Sequence, residues 1–170
     1  MSKILLLCLS LLLLIQCSDS YYKLELQESN IEVLFPEEPD GIDTLKHNVE
    51  EISYNIYEYY YLGKKDVSFH LVVSESINFD TTESFQSALD LFVKGFKKQS
   101  DGIIIKNRYI ERWKCPGRSF MINFDEKVVY GQVFFLWNKL SGLFVISPIR
   151  NEKRKGNTFI ESFEYQGSCK

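Results

Sequence analysis

The side chains able to do chemistry are few and widely spaced. His47 and His70 are the only 2 histidines, and neither stands at a metal-ligand spacing from a cysteine or carboxylate. Both read as surface or hydrogen-bonded structural residues. Cys115-Pro116-Gly117 is not a C-x-x-C pair, which argues against thiol–disulfide exchange. No G-x-S-x-G, P-loop or G-x-G-x-x-G occurs, so the local signatures of acyl transfer and nucleotide binding are missing. Glu37, Glu38, Asp40 and Asp43 lack the ligand spacing of an EF-hand loop, and Asp125-Glu126 reads as a solvated turn. No metal, no cofactor and no catalysis are expected. A triad drawn from distant residues leaves no local mark, so a hydrolase would need His47 or His70 to reach a serine or cysteine in the fold.

Binding leaves a clearer trace. Tyr54, Tyr57, Tyr59, Tyr60 and Tyr61 crowd one segment, with Tyr57, Tyr59 and Tyr61 on one face of an extended chain. Tyrosine suits interfaces, because its ring packs while its hydroxyl stays wet. These three are therefore candidate contact residues; the same pattern also suits a strand buried on both sides. A net charge of -3 argues against nucleic acid, and the short basic block from Arg150 to Lys155 reads as a solvated loop.

The N-terminus carries an address. Lys3 precedes an apolar run from Ile4 to Ile15, the n- and h-regions of a secretory signal and too short to span a membrane. Leu14-Ile15-Gln16-Cys17 resembles a bacterial lipobox, with Gln16 where a small residue is usual. On that reading residues 1–16 are removed, Cys17 is acylated, and residues 17–27 form a tether to a single domain over 28–170. The alternative is cleavage after Ser20, which would release a secreted protein. Loss of Cys8 and acylation of Cys17 leave Cys115 and Cys169 to pair in an oxidising compartment.

These residues need a scaffold, and the scaffold follows from periodicity. Phe85, Ala88, Leu89, Phe92, Val93 and Phe96 form one face of a helix over Thr82 to Gln99, with Asp80 and Glu83 as its capping box. The triplet Ser100-Asp101-Gly102 stops it. Alternation predicts strands over Ile31–Phe35, Val49–Tyr61, Val67–Ser74, Ile103–Ile110, Ser119–Phe124, Val128–Trp137 and Leu143–Ser147. Thr158 and Glu161 read as a capping box opening a C-terminal helix whose Phe159, Ile160 and Phe163 face inward.

That order predicts an α+β domain: a mostly antiparallel sheet of about six to seven strands, one long helix and a C-terminal helix. The segment IEVLFPEEPD is similar to the strand, Phe-Pro, x-x-Pro opening of bacterial PsbP-like domains. The segments Val129–Leu136, Leu143–Ile146 and Phe159–Phe163 also resemble that family. It shares its α/β/α sandwich with the photosystem II extrinsic subunit and a Ran-binding import factor. The resemblance implies that sandwich and protein partners, with no catalytic residue. The expected role is thus a lipid-anchored interaction module of the bacterial envelope, held to a membrane through Cys17. The alternative is a carrier of small apolar ligands, with a pocket between sheet and long helix.

Overall fold

The computed structural model describes residues 20–49, 52–77, 82–148, 153–167 and 169. The signal segment, Cys17 and the Asp80 cap lie outside the described residues.

Alternating side chains build a central antiparallel sheet whose two faces are both covered. Its strands are β3 (Gly41–Val49), β4 (Ile52–Leu62), β5 (Ser68–Ser74), β6 (Ile103–Arg112), β7 (Cys115–Phe124), β8 (Lys127–Leu136) and β9 (Lys139–Pro148). They run in the order β3-β4-β5-β9-β8-β7-β6. On β5, Phe69, Leu71 and Val73 point to one core, while Val72 points to the other. Helix α1 (Thr82–Ser100) fills one face. Leu89 and Val93 are fully enclosed there, and Phe92 and Phe96 are half-buried against Phe120 and Phe144. Asp101 closes α1 in the left-handed region (φ 52°), with the Gly102 amide donating to the Lys97 carbonyl.

The second face is covered by both ends of the described chain. Strands β1 (Tyr22–Leu26), β2 (Ile31–Phe35) and β10 (Glu164–Tyr165) form a three-stranded sheet, with helix α2 (Lys153–Glu161) beside it. Ile31, Val33 and Phe35 from β2 meet Phe159 and Phe163 over Phe69, Phe134 and Val145. The Phe35 and Phe159 rings are 4.9 Å apart, edge to face. A disulfide joins Cys115 to Cys169 with Cα atoms 5.0 Å apart. It ties the C-terminal tail to the start of β7.

Three expectations change. Tyr22–Leu26, placed in the tether, is a strand paired with β2 from Tyr22↔Phe35 to Leu26↔Ile31. Gly41–Val49, read as a turn and its sequel, is a strand paired along β4. It lies at the sheet edge, exposed from Ile42 to Lys46 on both faces, so no apolar alternation marks it. Thr158 is inside α2, which begins five residues earlier, at Lys153. Gly156 lets α2 settle there, because a Cβ at that position would collide with the Tyr130 hydroxyl.

Candidate functional site: a tyrosine cleft and a polar relay

The cover of the second face stops short of β4, and a cleft of about 610 Å³ opens where it ends. Its floor is Tyr57 and Tyr59 of β4 with Val73 of β5; its wall is the 3-10 turn Gln27–Ser29 with Glu25. Glu75, just past β5, completes the rim. The Asn55 side chain fixes that carboxylate by donating to Oε1 at 2.9 Å, and the Asn55 amide donates to Oε2 at 3.3 Å. The Tyr57 hydroxyl also donates to Oε1, at 3.1 Å. Lys139 spans the cleft to donate to Ser29 Oγ at 3.1 Å, pinning the turn to the start of β9.

Electrostatics follow from those bonds. The donors from Asn55, then Tyr57, hold the Glu75 carboxyl below its usual range. The same carboxylate, through its hydrogen bond and then its charge, raises the Tyr57 hydroxyl. Burial, then the charge of Glu28, raises Tyr59. Both phenols therefore stay neutral donors in a cleft carrying Glu25, Glu28 and Glu75 against one lysine. Glu25 is partly neutralised by Lys23 at 2.6 Å, whereas Glu28 has no ion pair among the described residues. An aromatic, acidic, open cleft suits a basic, ring-stacking or aliphatic segment of another chain.

Of the three tyrosines singled out in the sequence, the structure brings Tyr57 and Tyr59 together in the cleft. Tyr61 lies further along β4 and packs on Phe69 at 5.9 Å, its hydroxyl raised by burial and then by its hydrogen bond to Glu37. The glutamates and the turn escaped sequence reasoning, because their meeting depends on β1 and on the end of β5.

A second constellation lies on the opposite face of β4 and β5. His70 Nδ1 is 2.9 Å from Glu58 Oε1, and Nε2 is 2.7 Å from Ser68 Oγ. The imidazole lies flat on Phe144 at 4.6 Å, with planes 8° apart. Ser68 and His70 share a face by alternation; the turn after Leu62 sets the register Tyr60↔His70 that delivers Glu58 alongside. The hairpin register was the signal that could have found this partner. His47 contributes no described side chain. Among the described residues no group of three or more His, Cys, Asp or Glu is placed to hold a metal.

The space between α1 and the sheet, where a carrier would hold its ligand, is packed with rings: Phe96 is 4.5 Å from Phe144 and 5.8 Å from Phe120. A groove of about 320 Å³ beside Phe85, Phe135 and Trp137 opens on the surface instead.

No protein-family model and no curated protein matches the chain. Among solved structures it is similar to cyanobacterial PsbP (CyanoP) from Synechocystis sp. PCC 6803. The TM-score is 0.57 at 14% identity, over 88% of this chain and 95% of that one. The chain has a PsbP-like fold. Among the described residues no helix is long and apolar enough to cross a membrane.

Proposed function

We propose that the protein is a lipid-anchored module of the bacterial envelope that holds a protein partner in the tyrosine cleft. The observation that carries this reading is the pairing of Tyr57 and Tyr59 with Glu28 and Glu75 around one open cleft of about 610 Å³. Tyrosine there offers ring area at little entropic cost, and the carboxylates select a basic segment. The apolar run ending at Cys17 supplies the address, and two or more acyl chains on that cysteine give stable anchoring. A PsbP-like domain outside the cytoplasm is consistent with the cystine that pins its tail.

Fatty-acid labelling of the wild type and of Cys17→Ala tests the anchor; equal labelling of the two removes it. Glu28→Lys with Glu75→Lys tests the cleft. Co-purification of a defined protein from solubilised membranes is lost in this variant, and co-purification at the wild-type level contradicts the reading.

A further inference from the structure

The relay Glu58–His70–Ser68 plays no part in the cleft, since it faces the other side of the sheet. Its atoms are nonetheless ordered as a nucleophile, a base and an orienting acid. The Glu58 carboxylate only accepts, so Nδ1 carries the imidazole proton and Nε2 presents its lone pair to the Ser68 hydroxyl, 2.7 Å away. Stacking on Phe144 fixes the ring plane. The His70 side chain is 12% exposed and that of Glu58 18%, so both are shielded without being sealed. Ser68 is half-buried, and Leu62, opposite it on β4, is 63% exposed.

We infer that Ser68 is an acyl-accepting nucleophile, with His70 as its general base and Glu58 as the positioning residue. The substrate class follows from what surrounds it. Strand β5 is paired on both sides, with β4 and β9, so from Ser68 onward the ladder occupies its amides. The developing oxyanion is left to solvent, and loss of an oxyanion-hole donor costs about 10²–10³ in rate. Such a site handles esters whose leaving group needs no help, aryl esters or thioesters, and leaves amides intact.

In the first step Ser68 Oγ attacks the acyl carbon while His70 Nε2 takes the hydroxyl proton. The carbonyl pair moves onto oxygen and returns as the aryloxide or thiolate leaves, carrying away the proton from His70. Water then attacks the acyl-Ser68 ester, His70 taking its proton and returning it to Ser68, and the carboxylic acid departs.

Intact protein is treated with a fluorophosphonate probe, which loses fluoride as Ser68 Oγ bonds to phosphorus, and with p-nitrophenyl acetate. Peptide mapping of the wild type places the adduct on Ser68, with a burst of nitrophenol ahead of slow turnover. His70→Gln slows labelling by about 10²-fold or more. Glu58→Gln slows it too, and Glu58→Asp restores part of the rate while the thermal midpoints of the variants stay together. An unmodified Ser68, an adduct only on tyrosine or lysine, or labelling that ignores His70→Gln overturns the inference. None of these outcomes touches the cleft, so the two proposals stand or fall separately.

Discussion

The two faces of the seven-stranded sheet are covered by different means. On one, α1 lays a single continuous helix over the sheet, and its Phe92 and Phe96 complete a ring cluster with Phe120 and Phe144. On the other, the two ends of the chain assemble a second layer from β1, β2, β10 and α2. One cover is a local element, made of contiguous residues. The other joins Tyr22 to Tyr165 through β2 and carries a cystine at its margin. A cover made of ends is easily left incomplete, and the cleft lies where it stops. Both faces are well buried, with Leu89 and Val93 enclosed under α1 and Phe35, Phe159 and Phe163 enclosed under the other cover, and the proposed binding surface lies at the rim of the second.

The largest expected effect is on the first face. Phe120 is 2% exposed, and Phe120→Ala should lower unfolding free energy by about 3–5 kcal/mol through lost burial and the cavity left behind. Chemical denaturation of the variant measures it. A cost under about 1 kcal/mol would mean that Phe120 is not packed into the ring cluster as the structure has it.

Removal of the cystine tests the second face. Cys115 and Cys169 are 54 residues apart, and the chain-entropy model puts the stabilisation at about 4 kcal/mol. A Cys115→Ser/Cys169→Ser variant should lose up to that amount, and its amides in β2 and α2 should exchange faster than those in α1. Uniform acceleration across both faces would show that the two covers open together.

A smaller effect concerns pH. Burial raises the Tyr54 hydroxyl from its ordinary value near 10 to about 12. Its folded pKa therefore exceeds the unfolded one, so its contribution is complete below pH 10 and disappears as pH rises to about 12. Tyr54→Phe should raise the alkaline unfolding midpoint followed by circular dichroism. An unchanged midpoint would assign alkaline unfolding to other tyrosines.

The contrast between the faces also explains what was legible in the sequence. Helix α1 and strand β2 announce themselves because each buries one periodic stripe, and β5 does so through the alternation of Phe69, Leu71 and Val73, although Val72 is buried on its other face. Strand β1 carries the same alternation, Leu24 and Leu26 against Lys23 and Glu25, but over only five residues next to the signal segment, where it reads as a tether. Edge strand β3 is exposed on both faces from Ile42 to Lys46, so no apolar alternation marks that stretch. Helix α2 starts in polar residues, so its first turns resemble a loop and Thr158 imitates a cap. Tyr57 and Tyr59 were visible as a type and a face. Glu28 and Glu75 join them only after non-local pairing, which no local pattern encodes.

The smallest structural perturbation gives the sharpest test of the division between faces. A photo-crosslinking side chain replaces Tyr57, at the cleft, or Leu91, on the outer surface of α1; they are 36% and 39% exposed. Both changes should leave stability within about 0.5 kcal/mol, as surface substitutions do. Irradiation of intact cells should give a discrete protein adduct from position 57 and none from position 91. An adduct from position 91 alone, or the same adduct from both, would contradict the assignment of binding to the cleft.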